Sequence, residues 1–163
     1  MLWLAHHRVL VGVTFVAVLV ADVASKQWIL SLLGWGEFID VVPRVRLVLV
    51  LNTGVSFGMA ADWAVPPWVL GGFACVVGVG LLLWATQHAQ LWQAVGLALI
   101  AGGAWGNGLD RFFYGAVVDF LDVELWNGYH WPAFNVADSA ITCGAVLYLV
   151  RELWFGERAQ SKL

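Results

Sequence analysis

Asp119 and Asp138 are the residues of this chain whose surroundings point most directly to chemistry. Asp119 lies between Ala116-Val117-Val118 and Phe120-Leu121. A carboxyl group set in apolar sequence is poorly explained as a solvated loop charge. Asp138 lies in Phe134-Asn135-Val136-Ala137-Asp138-Ser139. There it can complete a capping box with Asn135 at a helix start. That role is compatible with chemistry, because the positive end of a helix supports a carboxylate. Two acids held close together cannot both ionise easily, so one carboxyl keeps its proton. The ionised member can take a proton from water while the neutral member polarises a scissile carbonyl. This is amide hydrolysis of the aspartic type, with no covalent intermediate.

Other charged groups gather near them. Asp22 and Lys26 are four residues apart and share one flank of a helix, which suits either an ion pair or a place in the site. Asp110 and Arg111 are adjacent, so each needs its own partner, and a network between helices is expected. Rival chemistries have less support. The chain has no paired His at helical spacing and no Cys pair at metal spacing, so no zinc site and no cofactor are expected. His6 and His7 lie at the start, His88 in a turn and His130 alone, which suits interfacial positions. A serine mechanism would need a His beside Ser139 at membrane depth. Gly106-Asn107-Gly108-Leu109-Asp110 comes close to the GxGD pattern of another intramembrane class, but its Asp is displaced by one residue.

The elements that must carry these residues follow from composition. The chain has 163 residues, of which 61% are hydrophobic and 12% charged, and its mean hydropathy is +0.81. So short a chain cannot hide that much apolar surface in a globular core. A soluble domain and a disordered chain are both excluded. A net charge of −3 argues against nucleic acid as a partner. From Trp63 to Leu109 there is no Asp, Glu, Lys or Arg, which accommodates two spans of about 20 residues joined at Thr86–Gln90. Spans are expected at about 9–33, 67–85, 91–109 and 136–155. Pro66-Pro67 suits the start of the second. The first resembles a signal peptide in its cationic start, but no small-x-small site closes it and hydrophobicity resumes after Lys26, so a retained helix is expected. Trp28, Trp35, Trp63, Trp68, Trp84, Trp92, Trp126, Trp131 and Trp154 fall near span ends, as interfacial belts require.

Four spans place both termini on one side. A small cationic excess there (Arg8, Arg151, Arg158 and Lys162) favours the cytoplasm. The extracytoplasmic segments are then about 34–62 and 110–135. Alternation of Val45, Leu47, Leu49 and Leu51 reads as a strand or β-hairpin in the first. Cys75 and Cys143 lie in apolar runs and suit packing. The fold class expected is an all-α polytopic membrane protein, four transmembrane helices with a small extracytoplasmic β-rich segment. Asp22, Lys26, Asp110, Arg111, Asp119 and Asp138 then converge near one depth, where ionisable groups are costly and mark function.

These residues resemble the lipoprotein signal peptidase (signal peptidase II) family. The resemblance is carried by Asp22-Val23-Ala24-Ser25-Lys26, by Asn52-Thr53-Gly54-Val55-Ser56-Phe57-Gly58, and by Gly102-Gly103-Ala104-Trp105-Gly106-Asn107-Gly108-Leu109-Asp110-Arg111. Tyr114-Gly115, Val117-Val118-Asp119-Phe120 and Phe134-Asn135-Val136-Ala137-Asp138-Ser139-Ala140 continue it. It implies a bacterial inner-membrane endopeptidase that cuts before a diacylglyceryl-modified cysteine of a prolipoprotein. It implies Asp119 and Asp138 as the catalytic pair, with Asn107, Arg111 and Asn135 lining or bracing the site. Asp22, Lys26, Asn52, Gly54 and Asp110 would support substrate binding or local structure. Trp105 and Gly108 depart from the sizes common in the family, which bears on pocket shape. Asn52 reads either as a turn residue before Gly54 or as a donor to extended substrate backbone. Arg111 could hold a carbonyl or brace Asp119 or Asp110. Partners expected are the prolipoprotein and membrane lipid, with the chain a monomer. A proton-coupled carrier and a helical scaffold whose acids join helices are the competing readings.

Overall fold

The structure is a computed structural model and describes residues 2–54, 65–88 and 90–155. Val55 to Gly58 of the second family block, Asp62, Trp63 and the cations Arg158 and Lys162 lie outside the described residues. Four helices are present: α1 (Leu2–Leu32), α2 (Pro67–Ala85), α3 (Leu91–Phe113) and α4 (Val136–Phe155). Four strands join them: β1 (Phe38–Val42), β2 (Val45–Asn52), β3 (Val117–Trp126) and β4 (Tyr129–Phe134). The strands form one antiparallel sheet in the order β1-β2-β3-β4.

The charge-free stretch does what its length dictates. α2 begins at Pro67, with proline in the first turn, where its missing N–H leaves no bond unmade. The chain turns at Thr86–His88 and returns as α3. α1 and α2 contain segments long and apolar enough to cross a bilayer, His6–Leu32 and Pro67–Ala85, with mean hydropathy 2.0 and 2.1. Their outward faces stay uncovered: Val13, Val16 and Val20 on α1 and Phe73, Val76 and Leu83 on α2 are exposed, as are Leu149 and Leu153 on α4. Uncovered apolar stripes of this kind suit lipid better than water.

α3 is the hub, packed against the other three helices. Small residues make that possible. A Cβ on Gly96 would meet the Gly144 carbonyl at 2.8 Å, so α3 and α4 touch backbone to backbone. Away from the sheet, Val11, Ala85, Ala94, Leu97 and Ala98 close the core. At the other end, Ile29 of α1 and Leu33 just after it seat the sheet through Leu49, Val118 and Phe120. Burying each such side chain contributes about 1.5–3 kcal/mol. Trp84 and Trp92 are exposed at one end of the bundle, and Trp35, Trp68, Trp126 and Trp131 at the sheet end, as two aromatic belts would be.

Two expectations need correction. The chain is not all-α, because 117–134 supplies a second β-hairpin beside the one foreseen in 34–62. Its turn is Asn127-Gly128, with φ of 47° and 78°, the conformation a two-residue hairpin loop demands. α3 also runs past Leu109 to Phe113, so Asp110 and Arg111 belong to its last turns rather than to the segment after it.

Candidate active site

Lys26 stands at the centre of the buried polar network. It is 1% exposed, and its ammonium has three protons to place. Nζ lies 2.7 Å from Asp22 Oδ2 and 2.7 Å from Asp110 Oδ2, and it donates to Asn107 Oδ1 at 3.1 Å. The helical spacing of Asp22 and Lys26 delivers the first partner, and α3 delivers the other two. Each acid has a second task. Asp22 Oδ1 accepts the Ala137 N–H at 2.8 Å, fixing the start of α4. Asp110 Oδ2 accepts the Val118 N–H at 3.0 Å, fixing the start of β3. Gly106 leaves room for this, since a Cβ there would collide with the Asp22 carboxylate.

Those two anchors position the neighbours that matter. Asp119 follows Val118 on β3, and Asp138 follows Ala137 on α4. Asn135 and Asp138 form the reciprocal capping box that the sequence suggested: Asp138 N–H donates to Asn135 Oδ1 at 2.9 Å, and Asn135 N–H to Asp138 Oδ2 at 3.2 Å. Asn107 Nδ2 donates to Asp138 Oδ1 at 2.8 Å. Asn135 Nδ2 reaches Asp119 Oδ1 at 2.7 Å, the Val118 carbonyl at 3.2 Å and Asn107 Oδ1 at 3.0 Å. Asn52 Nδ2 donates to Asp119 Oδ2 at 3.0 Å, while its Oδ1 accepts the Gly54 N–H at 2.9 Å. Asn52 is thus a turn residue and an aspartate ligand together.

Asp119 is 1% exposed. Burial pushes its carboxyl up to about 6, and the nearby Asp138 charge adds to this, against hydrogen bonds from Asn52 and Asn135. Asp138 is half-buried and borders a groove of about 340 Å³ with Trp131, Phe134, Ser139, Thr142 and Cys143. On the other flank a groove of about 250 Å³ is lined by Val23, Lys26, Gln27, Asp110, Phe113 and Tyr114, among others.

Eight of the ten residues singled out beforehand, Asp22, Lys26, Asn52, Asn107, Asp110, Asp119, Asn135 and Asp138, form one hydrogen-bonded cluster. Arg111 stands at its edge, donating from Nη1 to the Asn107 carbonyl at 2.8 Å. Gly54, with φ of 77°, faces its guanidinium. Among the described residues no group of His, Cys, Asp and Glu could hold a metal ion. Sequence reasoning missed Asp122, which accepts from Arg46 and pairs with His130. Arg46 is 76 residues away in sequence and His130 is eight, on the next strand, and both reach it through strand register.

The fold is that of a membrane enzyme. A bacterial membrane enzyme solved in meso at 1.9 Å superposes with a TM-score of 0.75 at 27% identity, over 89% of this chain and 93% of the other. A second, at 2.3 Å, gives 0.74 at 27% identity, over 88% and 87%. The chain belongs to the signal peptidase II family, whose profile, Signal peptidase (SPase) II, matches residues 14–154. The lipoprotein signal peptidase of Cupriavidus necator is 45% identical over 140 residues, 83% of this chain and 78% of that one. That of Polynucleobacter necessarius is 42% identical over 151 residues, 90% and 91%. Membership makes the chain a peptidase, and the carrier and scaffold readings give way to it.

Proposed function

We propose that this chain removes the signal peptide from diacylglyceryl-modified prolipoproteins, cutting before the lipidated cysteine with a water held between Asp119 and Asp138. The observation that carries the reading is that two carboxyl groups from different elements are joined through one pair of amides, Asn107 and Asn135. Those amides orient both acids without neutralising either. Asp119, buried and beside a second acid, takes up a proton more readily than an ordinary aspartate. Below about pH 6 the pair therefore holds one proton as a unit. The ionised member accepts a proton from the water as it attacks, and the protonated member hydrogen-bonds the scissile carbonyl.

The polar cluster lies where the sheet meets the apolar bundle. A lipidated cysteine can keep its acyl chains in the bilayer while its peptide bond reaches that seam. The bundle then crosses the bacterial inner membrane four times, with both termini cytoplasmic, the sheet extracytoplasmic, the site near the outer leaflet and the chain acting as a monomer. The test is cleavage of a prolipoprotein by Asp119→Asn and Asp138→Asn, made separately and purified in detergent. Each should remain folded and lose cleavage; full-rate cleavage by either overturns the pair. Equal cleavage of substrates with and without the diacylglyceryl group would overturn the lipid requirement.

A further inference from the structure

A second polar cluster lies where the β1–β2 turn meets the β3–β4 hairpin. Strand register lines up Asp40 with Arg46 and Arg46 with Asp122. It pairs Glu124 with His130 on the next strand. Asp122 is buried and accepts from Arg46 Nε at 2.5 Å while pairing with His130 Nδ1 at 2.8 Å. Burial alone would push the Asp122 carboxyl up, but Arg46 and His130 outweigh it and hold it below the usual range. It is a fixed anion that orients both side chains from behind. The nitrogens it does not engage are Nη1 and Nη2 of Arg46 and Nε2 of His130.

Both side chains line a cavity of about 110 Å³, together with Asp40, Arg44 and Glu124. The cavity thus has basic nitrogens and carboxylates on the same small wall. Aromatic residues of the kind that mark the headgroup level of a bilayer stand on the neighbouring strands. Trp126 and Tyr129 stack at the hairpin tip with centroids 5.4 Å apart, and Phe38 lies beneath the Arg46 guanidinium at 5.2 Å. Phe38, Trp126 and Tyr129 are all exposed. A guanidinium recognises phosphate, and paired carboxylates recognise an ammonium group.

We propose that this cavity binds the headgroup of a membrane phospholipid bearing both a phosphate and a primary amine, with phosphate on Arg44, Arg46 and His130 and the amine on Asp40 and Glu124. The site is separate from the aspartate pair, and it stands whether or not that pair cleaves peptides.

The test is native mass spectrometry of the full chain released from dodecyl maltoside micelles carrying equal amounts of dioleoyl phosphatidylethanolamine and dioleoyl phosphatidylglycerol. The wild type should retain the ethanolamine lipid in about tenfold preference, the worth of one charge-assisted hydrogen bond. Asp40→Asn with Glu124→Gln should bring the preference close to unity. Arg44→Gln should weaken retention of both lipids by about tenfold. Neither variant touches the Asp122 clamp, and thermal unfolding checks that each stays folded. Equal retention of the two lipids by the wild type would overturn the proposal, as would a preference that survives Asp40→Asn with Glu124→Gln. Displacement by free phosphoethanolamine or inorganic phosphate at the lipid's own concentration would overturn the lipid as occupant.

Discussion

Asn135 donates from its side-chain amide to Asn107 Oδ1 at 3.0 Å, while the same Asn135 amide reaches Asp119 and the Asn107 amide reaches Asp138. Removing Asn107 as Asn107→Ala strips Asp138 of a charge-assisted donor worth about 1.5–3 kcal/mol. The cleavage rate should fall by about tenfold or more. Asn135→Ala should cost more, because it also removes the helix cap, about 1 kcal/mol of stability. Steady-state cleavage and thermal unfolding of both variants check this. A full-rate Asn107→Ala enzyme would show that the amide pair does not orient the acids.

Lys26 pairs with two buried acids, Asp22 and Asp110. Lys26→Met should destabilise the protein by roughly 3–5 kcal/mol, because Asp22 and Asp110 would keep charge without a partner. Adding Asp22→Asn and Asp110→Asn should restore a large part of that loss. Thermal unfolding in detergent reads both outcomes. A stable single variant would mean that the acids find protons or water unaided.

The pH dependence of stability carries a defined sign at Asp119. Its carboxyl is raised from 3.8 to about 6 on folding. Between those values the folded chain binds the extra proton. The favourable contribution is therefore complete below 3.8 and is lost as pH rises through 6. At neutral pH the charged form costs roughly 3 kcal/mol, at about 1.4 kcal/mol per unit. Asp119→Asn never ionises, so its stability relative to wild type should rise between about pH 4 and 7 and level off beyond. Denaturation midpoints measured across that range check it, and a constant difference would refute it.

Gly96 and Gly12 give a matched pair. A Cβ at Gly96 meets the backbone of α4, whereas one at Gly12 meets nothing within 4 Å. Gly96→Ala should cost about 1–3 kcal/mol by overpacking. Gly12→Ala should gain about 0.5–1 kcal/mol from helix propensity. Unfolding of the two variants side by side tests whether α3 and α4 depend on contact between their backbones.

Much of this architecture was legible before the coordinates. Helices lie at Pro67–Ala85, where the charge-free stretch suggested a span, and at Val136–Phe155, where the apolar run after Asn135 did. Alternation found β2, because one face of that strand looks outward. β3 escaped, since its first residues are buried in an unbroken run from Val117 to Phe120. A strand covered on both faces loses the alternation that announces a strand. Asn127-Gly128 is readable as a hairpin turn, but it follows Trp126, which reads as a residue of an interfacial belt. The two aspartates stand out in the sequence because acids in apolar surroundings are anomalous, and the fold brings both to one pair of amides. Asp122 was not, because Arg46 and His130 reach it only through the sheet.

Asp119 rides on a strand and Asp138 on a helix, and the sheet leans on the bundle through a short apolar seam. Any change in how the sheet sits on the helices is therefore a change in the distance between the two carboxyls. If the proposed water lies between them, a compound that wedges the seam open should block cleavage from outside the site.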